Sequence, residues 1–283
     1  MRAFFGVSMF GDVVLNCEIL SCPVCKKPLS KTEKSYICSS AHNFDEAKEG
    51  YVNLLSGSHK QGELIGDNKS MALSRRDFLN KGYFSSLASG VCEVLKSESL
   101  QNPNVLDICC GEGYYSEYLS KRTDCNLYGF DISKNMVRLA AKRKLDAVFF
   151  VANLSHIPVF DGSVDFAFHL FAPFHDEEFS RILKSGGVLV TAVPGKNHLW
   201  ELKSAVYDTP YQNDEKLPES RLTLERTIKI SDTIKIDNNE DIMSLFKMTP
   251  YYYRTSKEGI ERAEKLDTLE TTLEFVLGVY RKG

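Results

Sequence analysis

Three cysteines and a histidine fall within one short stretch, Cys22 and Cys25 as a C-x2-C pair, Cys38 and His42 as a C-x3-H pair. Two short-range pairs joined by a longer loop suit tetrahedral zinc, because each turn presents two ligands toward one centre. Pro23 and Pro28 favour the tight first turn, and "KSYICSS" reads as a short strand delivering Cys38. Three thiolates and a neutral imidazole fill all four positions, so the expected role of the metal is structural, holding a small lobe together. Cys17 lies close by, but its spacing to Cys22 fits no such pair.

A second constellation is "VLDICCGEGYYS", with Asp107 at the end of an apolar run and Gly111 and Gly113 in the turn before a helical segment. In doubly wound sheets such a turn lets the backbone approach a ligand beyond the carboxyl ends of the strands. The next apolar run ends "YGFD", placing Asp131 about twenty residues on, where a carboxylate accepts both ribose hydroxyls. The plainer role for Asp131 is to cap the following "SKNMVRLAAKR" helix. The three-glycine pyrophosphate fingerprint of dinucleotide enzymes is missing.

The elements that must position these residues follow from pattern. "NVLDIC", "NLYGFD", "AVFFVA", "VDFAFHLF" and "GGVLVTAV" are short apolar runs, and helical candidates at 114–121, 134–143 and 176–184 lie between them. That alternation predicts a mostly parallel Rossmann-like α/β sheet covered on both faces, closed at the C-terminus by strands in "SRLTLERTIKIS" and "LETTLEFVLGVYR" that make a mixed, antiparallel edge. Helices are also expected in "HLWELKSAVYD" and around 239–247, and "MALSRRDFLNKGYFSSLASGVCEVLKS" reads as two helices broken near Lys81-Gly82. The polar stretch 56–70 reads as a loop or hinge. The expected division is an N-terminal extension (1–20), a zinc-binding lobe (21–60), a linker with helices (61–100) and the main α/β domain (101–283).

With 283 residues, 43% hydrophobic, 26% charged and a net charge of -3, the chain can bury a full core and has no global attraction to nucleic acid. Any RNA contact must come from a local patch; His59, Lys60, Arg75 and Arg76 extend the positive side of the lobe. No apolar stretch reaches the roughly 18 residues of a membrane span. Asp12 interrupts the apolar N-terminus and no small-residue cleavage site follows, which argues against a signal peptide. Cysteines clustered as metal ligands rather than as a disulfide framework point to the cytoplasm.

The sheet, the glycine turn and "VANLSHIPVFDGSVDFAF" together resemble the class I S-adenosylmethionine-dependent methyltransferases, a likeness that implies Asn153 beside the adenine. Adding "CPVCKKPL", "SYIC", "HNFDEAKEGYVNLL", "SRRDFLNKGYF" and "VPGKNHLWELK", nearly the whole chain from Cys22 resembles the bacterial 23S rRNA (guanine-N1)-methyltransferases. The resemblance implies S-adenosylmethionine and structural Zn2+ as cofactors, a 23S rRNA hairpin loop as partner, and an RNA-recognition role for the zinc lobe. It implies Cys22, Cys25, Cys38 and His42 as zinc ligands. Gly111, Glu112 and Gly113 would lie at the cofactor turn, the latter two at its methionine end, with Asp131 at the ribose and His198 completing the site. Phe84 stands where the family often has a tyrosine that reaches the cofactor. One departure is Cys109, which replaces the first glycine of the Asp-x-Gly-x-Gly motif; a positive φ there costs on the order of 1 kcal/mol.

Guanine N1 carries a proton at neutral pH, so an acceptor is useful, and His169, His175, Asp176 and Asp165 are the candidates near the fourth catalytic-domain strand. Phe171 and Phe174 are candidates to stack on an extruded base or simply to pack the sheet. A small-molecule methyltransferase and a non-catalytic RNA-binding relative are the alternative functions, and a zinc lobe can make homodimer contacts as readily as RNA contacts.

Overall fold

The turns around the cysteines leave room only for short strands. In the computed structural model, which describes residues 18–55 and 69–283, β1 (Leu29–Lys31), β2 (Ser35–Cys38) and β3 (Asn43–Asp45) form an antiparallel three-stranded sheet. Residues 1–17 and most of the 56–70 stretch, including His59 and Lys60, lie outside the described residues. Next come β4 (Tyr51–Asn53), α1 (Lys69–Asn80) and α2 (Ser85–Ser97), the two helices separated at Lys81-Gly82, where Gly82 has φ +82°.

The main domain alternates as the apolar runs require: β5 (Asn104–Ile108), α3 (Tyr114–Ser120), β6 (Asn126–Asp131), α4 (Lys134–Ala141), β7 (Ala147–Val151), β8 (Val164–Leu170), α5 (Asp176–Ile182) and β9 (Leu183–Pro194). It closes with α6 (Trp200–Val206), β10 (Thr223–Ile236), α7 (Asn239–Met248), α8 (Lys257–Glu264) and β11 (Leu269–Arg281). The order in the eight-stranded sheet is β10-β11-β9-β8-β5-β6-β7-β4. The pairs from β9 to β4 are parallel, while β11 runs antiparallel to both β9 and β10, giving the mixed edge. Val105, Leu106, Ile108, Phe130, Phe150, Phe166 and Phe168 are fully buried because helices or the zinc lobe cover both faces.

Two arrangements differ from the pattern reading. First, β4 belongs to the main sheet: Tyr51–Asn53 pair with Phe149–Val151, and Leu54 N–H continues the ladder to Val151 O. The lobe also shares its core with the sheet, since Ile19, Leu20, Cys22, Leu29, Tyr36 and Cys38 pack in one cluster with Leu106, Ile108, Tyr128 and Phe130. A division at residue 60 therefore separates strands that the structure joins. Second, α8 is additional. Its N-cap Ser256 accepts from Gly259 N–H, but only Gly259 and Ala263 of the helix are buried, so no apolar stripe announces it.

Candidate active site and zinc centre

The end of β5 is shaped by alternate left-handed residues: Cys109 at φ 58°, Gly111 at 55° and Gly113 at 84°. A Cβ on Gly113 would stand 3.0 Å from Ala140 Cβ and 3.1 Å from its Cα, so glycine is what lets α3 start against α4. Gly111 N–H donates to Asp131 Oδ2 (3.1 Å) and Ser133 N–H to Asp131 Oδ1 (2.8 Å), which orients the carboxylate at the end of β6. Cys109 does occupy a backbone region that costs an L-residue about 1–2 kcal/mol. Burial and the neighbouring Asp131 and Asp107 push its thiol up to about 12, so it stays protonated. Replacing Cys109 by Gly is expected to leave thermal stability within about 1 kcal/mol of wild type, strain relief offsetting the more flexible unfolded chain. Cys109→Val, β-branched at the same φ, is expected to lower it by more than about 1 kcal/mol; parallel thermal melts distinguish the two.

A cavity of about 360 Å³ opens at this end of the sheet. Asp107, Cys109, Cys110, Gly111, Glu112, Tyr114 and Tyr115 form one wall, Asp131, Ile132 and Met136 a second, Leu170–Pro173 a third, and Arg75, Leu79, Phe84 and Met248 the rim. Glu112 is 1% exposed and its Oε2 is held by Arg143, which also bonds Glu117 and, through Nη2, Asn80 Oδ1 at 2.9 Å. The other oxygen of Glu112, Oε1, is buried with no hydrogen-bond partner among the described residues. A buried acceptor left so is costly unless a ligand donor meets it.

Of the residues singled out from sequence, Phe84, Gly111, Glu112 and Asp131 share this cavity wall, whereas Gly113, Asn153 and His198 do not line it. Asn153 Oδ1 accepts from Ser155 N–H (3.0 Å). His198 is buried behind the wall, packed on Phe275 (4.6 Å between ring centroids) and Phe84 (6.4 Å), with Nδ1 accepting from Glu274 N–H. The proposed proton acceptors are engaged elsewhere. Asp165 accepts from Lys184 and Asn104 N–H, Asp176 from Arg221 and Ser220, and His175 caps α5 by accepting from Glu178 N–H. His169 is buried, its Nε2 donating to Pro173 O at 3.1 Å. Nothing local in the sequence marks Arg143, since only tertiary packing brings it to Glu112.

Burial dominates the titration of this region. It pushes Asp107 up to about 8, against the Ser116 hydroxyl bond at 2.6 Å, and pushes His169 down to about 4 and His198 down to about 3. The folded protein keeps the Asp107 proton that the unfolded chain releases above pH 3.8. The contribution of this group to stability is therefore complete below that pH and is lost as pH rises toward 8, by about 1.4 kcal/mol per unit. The histidines have the opposite sign, since the unfolded chain binds protons below 6.5 that the folded one refuses, so their contribution is lost as pH falls. Denaturant unfolding from pH 6.5 to 8 should show stability falling in wild type and a flatter profile in Asp107→Asn.

At the other centre, the ligand atoms of Cys22, Cys25, Cys38 and His42 all lie within 4.8 Å of one another. Cys25 Sγ–Cys38 Sγ is 3.6 Å, Cys22 Sγ–His42 Nδ1 3.5 Å and Cys38 Sγ–His42 Nδ1 3.4 Å. A zinc tetrahedron with Zn–S of about 2.3 Å and Zn–N of about 2.05 Å has edges of about 3.8 Å (S–S) and 3.6 Å (S–N), so the set fits Zn2+ with no position left open. The Lys27 backbone N–H lowers the Cys25 thiol to about 6, favouring the thiolate that a metal needs. The zinc is structural.

Comparison with known proteins finds matches over both regions of the chain. Residues 20–63 match the family model described as "RlmA, N-terminal", a zinc ribbon, and residues 105–187 match a methyltransferase domain. The 23S rRNA (guanine(748)-N(1))-methyltransferase of Streptomyces fradiae is 32% identical over 191 residues, 66% of this chain and 67% of its own. The Bacillus subtilis (strain 168) protein named "Putative 23S rRNA (guanine-N(1)-)-methyltransferase YxjB" is 26% identical over 275 residues, 91% of this chain and 95% of its own. Among solved structures, the geranyl diphosphate C-methyltransferase from Streptomyces coelicolor A3(2) superposes with a TM-score of 0.42 at 16% identity, covering 69% of this chain and 76% of that one. No helix among the described residues is long and apolar enough to cross a membrane. With a zinc ribbon, a methyltransferase domain that uses S-adenosylmethionine, and a relative of this similarity, the chain belongs to the 23S rRNA (guanine-N1)-methyltransferase family.

Proposed function

We propose that this protein transfers the methyl group of S-adenosylmethionine to N1 of a guanine in a hairpin loop of 23S rRNA, in the cytoplasm. The observation that carries the reading is the pairing, in one chain of this family, of a zinc lobe with the cavity-bearing sheet on which it packs. A small acceptor needs no such second surface.

In this reading Asp131 holds the ribose hydroxyls, Gly111 gives the cofactor a close backbone approach, and Glu112 Oε1 meets the ammonium of the methionine end. The orphaned Oε1 supports that last assignment, and Arg143 turns the carboxylate toward it. Phe84 and Met136 supply apolar wall. Gly113, Asn153 and His198 act from behind, through turn geometry and packing. When bound, the cofactor supplies an electrophilic methyl group; the protein aligns guanine N1 with the S–CH3 bond, so that the methyl passes to N1 as that bond breaks to leave a neutral thioether and the N1 proton is lost to solvent, and positioning is the main source of rate. The target base leaves its stack to reach the cavity, which is easiest from a loop.

The test is transfer of tritiated methyl from S-adenosylmethionine to 23S rRNA lacking the modification, followed by digestion to nucleosides. N1-methylguanosine is the expected product. Label in another methylated nucleoside overturns the assigned atom, and no label in RNA overturns the substrate.

A further inference from the structure

Phe171 follows the last residue of β8 and has φ 60°, a conformation that a bulky side chain rarely adopts. It is also 47% exposed although it lines the cavity. Two costs fall on one residue of the cavity wall, strained backbone and a phenyl ring left toward water. Such strain persists where the surrounding structure enforces it, and it concentrates at working sites.

The ring is held from one side. Phe275 lies 5.7 Å from Phe171 between centroids, and Phe275 is itself packed on Phe84 (5.6 Å) and His198 (4.6 Å). The aromatic chain thus runs from the cavity rim at Phe84, through fully buried Phe275, to the exposed ring. Phe174 is different: it packs on His169 (6.0 Å), Phe179 (5.0 Å) and Tyr280 (6.4 Å) as part of the sheet's cover.

We infer that Phe171 is the stacking platform for the extruded target base, braced by Phe275, and that Phe174 has no part in base recognition. The inference rests on the proposed RNA substrate. A flat, exposed π-face at the cavity wall suits a planar heterocycle, and stacking of a base on an aromatic side chain tolerates Tyr or Trp in place of Phe. His198, buried beneath Phe275, then acts as a positioning residue.

The experiment compares Phe171→Asn, which keeps a left-handed backbone accessible but removes the ring, with Phe171→Tyr and Phe174→Leu. S-adenosylmethionine affinity is measured by calorimetry and kcat/KM on 23S rRNA by methyl transfer. Phe171→Asn is expected to lose about 10–100-fold in kcat/KM on RNA, a larger factor than any change in its S-adenosylmethionine affinity, with Phe171→Tyr restoring most of it. Phe174→Leu is expected to lower thermal stability while keeping kcat/KM. Wild-type transfer to RNA with Phe171→Asn equally active overturns the platform. A loss that Phe171→Tyr does not rescue also overturns it. Absence of transfer by wild-type protein overturns the substrate assignment instead, so the two failures are distinct.

Discussion

Cys25→Ser is expected to abolish methylation of 23S rRNA, by on the order of 100-fold or more, while S-adenosylmethionine still binds. Cys25 is the partly exposed thiol of the set, whereas Cys22 and Cys38 are built into the core, so this substitution removes a ligand with little loss of packing. Zinc contributes apparent free energies of about 10–16 kcal/mol to small zinc folds. The lobe's own sheet has strands of only three or four residues, so beyond the core it shares with the main sheet the metal is what fixes its ligand turns. The proposed cofactor cavity lies around β5, β6 and β8, whose pairing with one another does not run through the lobe. Point substitution is a better probe than truncation, because removing the lobe would also strip β4 from β7 and uncover apolar sheet surface. Methyl transfer to RNA, zinc content and cofactor calorimetry on the same preparation check the prediction; a zinc-free variant with wild-type transfer contradicts it.

Asp131→Ala is expected to weaken S-adenosylmethionine binding by about 10–100-fold, with Asp131→Asn in between. Hydrogen bonds to a charged group contribute about 1.5–3 kcal/mol, and each 1.4 kcal/mol is about tenfold in Kd. Beside the proposed ribose contact, the carboxylate accepts from Gly111 and Ser133 N–H and so holds the turn after β5. Alanine removes both functions, whereas asparagine retains one carbonyl acceptor without the charge. Calorimetric titration of the three proteins checks the order, and an unchanged Kd in Asp131→Ala would remove Asp131 from the ribose.

What sequence could and could not say follows from the physics of each element. The five central strands are apparent because a sheet buried on both faces demands continuous apolar runs, and the glycine turn because left-handed backbone demands glycine at Gly111 and Gly113. The zinc set is apparent because ligand spacing is local. By contrast, Tyr51–Asn53 is too short to carry a period, and its partner Phe149–Val151 lies far along the chain. The clamp of Arg143 on Glu112 joins residues 31 apart, and nothing in either neighbourhood encodes it. His169, His175, Asp165 and Asp176 had suitable chemistry for a proton acceptor, but caps, ion pairs and burial already occupy them. Phe171 and Phe174 were equivalent as letters, and only packing separates the exposed ring from the covered one.

The most direct test of the central claim is primer extension along 23S rRNA lacking the modification, after incubation with zinc-loaded protein with and without S-adenosylmethionine. A methyl group on N1 blocks the pairing edge of guanine and arrests reverse transcription. The proposed function predicts one cofactor-dependent arrest, at a single guanine in a hairpin loop. A protein that binds the cofactor yet leaves every guanine readable would contradict the account.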